Sequence, residues 1–122
     1  MKGLIISTSL FLILVIGVIA NSFYANTVHD DMHAMVYEIS HTPSTENATQ
    51  INKIKEYWEH HKVLLSISVS FDYIDDLTNK LDALEQANSS FDKTQLAINI
   101  ELLQNSIDAI IRLENIKIDN IL

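Results

Sequence analysis

The chain has 122 residues, a mass of 13.8 kDa and a net charge of −8, from eight Lys and Arg against sixteen Asp and Glu. This length accommodates one domain, and the acidic balance argues against nucleic-acid binding, which needs a basic surface. Only two Gly and one Pro interrupt the sequence, which favours helices over a turn-rich β fold, and the absence of Cys excludes disulfides, thiolate metal sites and Cys nucleophiles.

The N-terminal segment is apolar and carries no charge from Gly3 to Ala25. Twenty-three helical residues rise about 35 Å, enough to cross a hydrocarbon core of about 30 Å. Phe23 and Tyr24 close the segment, where aromatic side chains lie at a membrane interface. We therefore predict a transmembrane anchor over residues 1–25, in contact with the lipid bilayer through residues 4–25, and a separate domain over residues 26–122.

The charges near the anchor predict its orientation. Lys2 and the α-amino group are the positive charges on its N-terminal side, and no acidic residue precedes Asp30. The positive-inside rule then places the N-terminus in the cytoplasm and residues 26–122 outside, as a single-pass protein of the cell membrane. The alternative is a signal peptide cleaved near Ala20, which would secrete the domain. The apolar run from Leu4 to Ala20 is about 17 residues long, which exceeds the roughly 7–15 residues usual for the hydrophobic region of a signal peptide and favours the uncleaved anchor.

The first helix is predicted to continue out of the membrane to about His41, because apolar residues recur at helical spacing as far as Ile39. Pro43 then ends it, and Thr42 or Ser44 can cap the next helix. That second helix begins near Thr45 and carries an apolar stripe with a spacing of three and four residues. The members of this stripe are Ile51, Ile54, Trp58, His61 and Leu65.

Residues 65–71 alternate between apolar residues and Ser, which is typical of a strand, but no comparable strand is available to pair with them. A helix running unbroken from Thr45 to Asn88 would also reach back into the membrane. We therefore predict a reversal or a kink between Val63 and Ser70, followed by a third helix that ends near Ser90.

The fourth helix has a strong start signal. Asp92 and Gln95 form a capping box, and Phe91 is spaced to pack on Leu96 as a hydrophobic staple. An apolar stripe then continues to about Glu114. The predicted fold is all-α, with an N-terminal transmembrane helix followed by an antiparallel three- or four-helix bundle. The predicted core contains Ile51, Ile54, Trp58, Leu65, Phe71, Ile74, Leu81, Leu96, Leu103, Ile107 and Ile110. Because a coiled coil uses the same stripes, a homo-oligomer also fits the pattern.

Two groups of side chains are candidates for binding a cation. His29 and His33 are four residues apart, which places them on one helix face at metal-ligand spacing. The acidic group Asp72, Asp75 and Asp76 also shares a face, but it lacks the Gly and distal Glu of a calcium loop. Exposed histidines and a solvated acidic face are the simpler interpretations, and no metal or cofactor is predicted.

A catalytic centre is not predicted either. The sequence has no Gly-x-Ser-x-Gly turn, no phosphate-binding Gly-rich loop and no hydroxyl residue beside an evident base. His61 lies on the apolar stripe of the second helix and is interpreted as a partly buried side chain with a hydrogen-bond partner; a pH-dependent switch would also require a carboxylate beside it. Trp58, the single tryptophan, is interpreted as a core residue rather than as a platform for a ligand.

The order of several short motifs resembles the DUF4363 family, a bacterial domain of unknown function. The motifs are the anchor after Lys2, Glu46-Asn47-Ala48 opening a helix, Trp58, Ile74-Asp75 with Leu77, Leu81 and Leu84, the helix from Leu96 to Ile111, and Asn120-Ile121-Leu122. Phe71 stands where the family tends to place a histidine. The resemblance implies a membrane-anchored helical domain with no catalytic residues to carry over. It also implies a protein partner in the membrane or envelope, such as a DUF421-type protein.

These observations predict a non-enzymatic interaction or scaffold protein of the bacterial cell envelope. The alternative is an extracytoplasmic sensor or cation-binding domain that uses His29 and His33 or the Asp72–Asp76 group.

Overall fold

A computed structural model describes residues 1–67 and 69–121 of the chain, with side chains through Arg112. It contains four helices: α1 (Lys2–Tyr37), α2 (Thr45–Leu65), α3 (Phe71–Ser89) and α4 (Lys93–Ile121). No strand occurs among the described residues. The all-α prediction is therefore confirmed, and the bundle has four helices.

Neighbouring helices run antiparallel. Tyr57 of α2 donates a hydrogen bond to Asp31 of α1. Gln50, which precedes Tyr57 in α2, donates to the carbonyl of Met35, which follows Asp31 in α1. Among the described residues, α1 packs on α2 and α4, and α3 packs on the same two helices. The four helices therefore alternate in direction around one core, and the N-terminal part of α1 extends beyond the ends of α2 and α3.

The core is filled by the apolar stripes that the periodicity predicted. Trp58 is its largest side chain, and its indole nitrogen donates to the Thr78 hydroxyl at 2.8 Å, which in turn donates to the carbonyl of Ile74 at 2.9 Å. Burial of the ring therefore leaves no polar atom of Trp58 unpaired. The buried members of the predicted set are Ile51, Ile54, Trp58, Leu65, Ile74, Leu81, Leu96, Leu103, Ile107 and Ile110.

Phe71 is the exception, because 69% of its surface is exposed. It is the first residue of α3 and lies after the turn that follows the end of α2 at Leu65. Val69, two residues earlier, is buried in its place. The prediction that Phe71 lies in the core was wrong because periodicity identifies the face of a helix but not where the bundle ends.

The connection between α2 and α3 is a reversal, as predicted. Backbone N–H groups of Ser66 and Val69 donate to carbonyls four residues earlier, and the Ser70 hydroxyl accepts from the N–H of Asp72. Leu65 and Val69 are buried while Ile67 is exposed. The alternating sequence therefore forms a turn in which burial recurs after four residues, whereas a strand would bury every second residue.

The first helix ends earlier than predicted, at Tyr37 rather than near His41. Asn47 explains the early end: its side chain accepts from the N–H of Ser40 and donates to the carbonyls of Ser40 and Thr42. These bonds replace the helical pairing of the segment before Pro43. The next helix is capped by Ser44, whose hydroxyl accepts from the N–H of Asn47 at 3.1 Å, so one of the two predicted caps is confirmed.

Of the two start signals predicted for α4, the Asp92 cap and the hydrophobic staple, the structure confirms the cap. Asp92 caps α4 by accepting from the N–H of Gln95 at 3.0 Å. Phe91 is exposed and has a φ of 55°, so it ends α3 in the left-handed conformation instead of packing on Leu96. The N–H groups of Phe91 and Asp92 donate to carbonyls three and five residues earlier, which is a Schellman motif. The predicted hydrophobic staple was wrong because this C-terminal motif controls the direction of the Phe91 side chain.

Candidate functional site

The membrane-compatible part of the chain is the N-terminal half of α1. Among the described residues, α1 is the one helix long and apolar enough to span a membrane, a test that a signal sequence also passes. Its large apolar side chains are exposed from Leu4 to Ile19, and the first buried residue of the helix is Ser22. Thr8 donates to the carbonyl of Leu4, so a hydroxyl in this segment is satisfied within the helix. One continuous helix thus supplies both an apolar segment and a side of the bundle.

His29 lies between two carboxylates where α1 packs on α4. Its Nε2 atom is 2.8 Å from Asp108, and its Nδ1 atom is 2.9 Å from Asp30. Burial lowers the pKa of His29, but the hydrogen bonds and charges of Asp108 and Asp30 outweigh burial, and the net pKa is raised above 6.5. The protonated imidazole donates to both carboxylates, so this contact joins α1 to α4 most strongly when His29 is charged.

His33 lies one turn beyond His29, with ring centroids 5.7 Å apart. Both rings line an open groove together with Asp30 and Glu38. Within the part of the chain that the structure describes, no three His, Asp or Glu side chains converge on a point that could hold a metal ion. The helical spacing therefore brings the two histidines together, as predicted, but both nitrogens of His29 already contact carboxylates.

The three carboxylates of the acidic group on α3 have different surroundings. Asp76 accepts from the Ser106 hydroxyl at 2.7 Å and from Lys80 at 3.2 Å, and these bonds, Ser106 first, lower its pKa despite partial burial. Asp72 and Asp75 are exposed on the same helix. Asp76 therefore joins α3 to α4, while the other two carboxylates lie on the solvated face.

A polar and aromatic group that sequence periodicity did not reveal joins α1 to α2. The Tyr24 hydroxyl is hydrogen-bonded to Nδ1 of His61 at 2.5 Å, and the ring of His61 lies 4.2 Å from that of Tyr57. Tyr57 donates to Asp31 at 2.7 Å, and its pKa is raised by burial and then by this carboxylate. His61 is half-buried as the stripe predicted, but its partner is 37 residues away, and no local pattern indicates it.

A comparison with protein families identifies the chain. A family model described as a domain of unknown function, DUF4363, matches residues 18–121. The chain belongs to the DUF4363 family. No curated protein and no solved structure matches it.

The motifs that suggested DUF4363 have structural roles in the bundle. Asn47 ends α1 and starts α2 through the four hydrogen bonds described above. Asn88, in α3, stabilises the same end of the bundle, because its side chain accepts from the N–H of Ser44 and donates to the Ser44 carbonyl. Both side chains are buried, and the oxygen and nitrogen of each amide are hydrogen-bonded, so both asparagines stabilise this end of the bundle.

The contact of His29 predicts a pH dependence of stability. Because the folded-state pKa is raised, the stabilisation is complete below the unfolded value of 6.5 and is lost as pH rises through the folded pKa. We expect the melting temperature of the wild type to fall relative to that of His29→Gln between about pH 5.5 and about pH 8.5. The exposed His41→Gln is the matched control. A constant difference between wild type and His29→Gln across this range would contradict the assignment.

Proposed function

We propose that this DUF4363 member is a non-enzymatic interaction module of the bacterial cell envelope. Residues 1–25 anchor it as a single-pass protein with the N-terminus in the cytoplasm, and the helical domain lies outside the membrane. The observation that carries the proposal is the continuity of α1, whose exposed apolar half and buried half form one 36-residue helix. A helix shared in this way holds the domain at a fixed distance from the bilayer, as a scaffold requires.

The surface of the bundle supports a partner protein. Ile98 and Leu102 are one turn apart on α4, and both are about 40% exposed although the helix buries its main stripe elsewhere. Apolar residues one turn apart on an exposed helix face are typical of helix docking. The apolar half of α1 offers a second surface, to lipid or to another membrane helix. The partner that fits both surfaces is a membrane protein of the envelope, and family resemblance suggests the DUF421 type.

Site-specific photocrosslinking in native membranes tests this proposal. A photoreactive amino acid at Leu102 or Leu12 should give one adduct of defined mass with another envelope protein. The matched control is the same amino acid at Asn79, which is exposed on α3. An adduct only with the chain itself would indicate a homo-oligomer instead. Only monomers at Leu102 and Leu12, or equal adducts at Asn79, would contradict the proposal.

The competing cation sensor predicts a different result. A ligand that binds only the folded state raises the melting temperature by mass action. We expect no shift with zinc, copper or calcium ions. A shift removed by His29→Ala with His33→Ala, or by Asp75→Asn with Asp76→Asn, would favour the sensor, and these pairs serve as each other's controls.

A further inference from the structure

The end of the bundle nearest the apolar half of α1 is itself apolar. The turn between α2 and α3 and the helix ends on either side of it expose four large side chains, and Ile67, at 79%, is the most exposed of them. We call these four residues the apolar tip; they are Val63, Leu64, Ile67 and Phe71. Soluble monomeric domains rarely expose several large apolar side chains close together, and such groups mark interaction sites for proteins or membranes.

The tip is held in a defined position. Leu65 and Val69, which alternate with the exposed residues, are fully buried in the core. The N–H of Val69 donates to the carbonyl of Leu65 at 2.8 Å, and Ser70 starts the next helix. The buried residues therefore fix the turn, so the exposed apolar side chains cannot fold back into the bundle.

The level of the tip follows from the antiparallel contact of α1 and α2. His61 bonds to Tyr24, and α2 continues from His61 towards the N-terminal half of α1. Leu64 lies about 5 Å beyond the level of Tyr24, at 1.5 Å per residue. This is the level of residues 20–21 of α1, inside the uncharged segment from Gly3 to Ala25 and near its C-terminal end. The boundary of acyl chains and headgroups is reached by apolar side chains that insert about 5–10 Å.

We infer that the apolar tip inserts into the interface of the same bilayer that α1 spans, so the domain contacts the membrane at two points. This inference rests on the proposed anchor. The charged neighbours of the tip include both signs, since Lys62 pairs with Glu59 at 2.9 Å and Asp72 is exposed beside Phe71. Insertion is therefore driven by apolar burial and does not require anionic lipid. The two contacts hold the bundle upright, with its acidic sides away from the surface.

Spin labels on the full chain in lipid vesicles test the tip directly, because the sequence contains no Cys. Single nitroxides are attached through Ile67→Cys, Tyr37→Cys and Leu12→Cys, and their accessibility to oxygen and to a water-soluble nickel chelate is measured. Tyr37 is the matched control, since it is as exposed as Ile67 and lies at the opposite end of the bundle. We expect the ratio of oxygen to nickel accessibility to be several-fold higher at Ile67 than at Tyr37, in vesicles of phosphatidylcholine with and without phosphatidylglycerol.

The three labels distinguish failure of the tip insertion from failure of the membrane anchor. A high ratio at Leu12 with equal low ratios at Ile67 and Tyr37 would overturn the insertion and leave the anchor intact. Low ratios at all three positions would overturn the anchor as well. Broadening between labels at Ile67 that disappears on dilution with unlabelled chain would show that a second copy covers the tip, and this would also overturn the inference. A high ratio at Ile67 that needs phosphatidylglycerol would contradict apolar insertion.

Discussion

Leu103→Asp is expected to unfold the bundle. Leu103 is fully buried on α4, the helix that packs on both α1 and α3. An unpaired carboxylate at such a position costs several kcal/mol or more through lost hydration, in addition to the lost packing. A domain of this size has a total stability of about 5–15 kcal/mol, so the loss is comparable with the whole.

The neighbouring residue provides the control for this prediction. Leu102 is 40% exposed, so the same change, Leu102→Asp, places the charge in water and should leave the fold intact. The single tryptophan, Trp58, is buried and reports on the core through its fluorescence. In detergent micelles, Leu103→Asp should show the red-shifted emission of an unfolded chain without denaturant. Native emission and an unchanged denaturation midpoint would contradict the described core.

The helices and most of the core could be predicted from the sequence because their signals are local. The spacing of Ile51, Ile54 and Trp58 is set by the helical repeat, and Ser44 and Asp92 cap by bonding within three residues. The ends of the bundle could not be predicted in this way. Phe71 continues an apolar stripe in the sequence, but its exposure depends on where the neighbouring helices stop.

The candidate site was predictable only in part, for the same reason. The i, i+4 spacing of His29 and His33 indicates a shared face, and their rings are indeed adjacent. Asp108, which raises the pKa of His29, is 79 residues away and follows from tertiary packing alone. Tyr24 is a second example: its position in the sequence suggests a membrane interface, but in the structure its hydroxyl is hydrogen-bonded to His61.

The membrane topology is the claim on which the anchor, the exported domain and the apolar tip all depend. Because the chain lacks Cys, single substitutions give specific labelling sites for a membrane-impermeant maleimide. Ala48→Cys lies on the exposed first turn of α2, at the end of the bundle away from the apolar segment. Gly3→Cys lies on the N-terminal side, where an added side chain meets no other atom.

Labelling of intact cells without their wall, combined with the mass of the mature chain, is the most direct test. The proposed topology predicts that Ala48→Cys is labelled at once, that Gly3→Cys is labelled only after the membrane is permeabilised, and that the chain keeps its full mass. Protection of Ala48→Cys in intact cells would contradict export of the domain. A mature chain that begins near Asn21 would contradict the anchor and favour secretion.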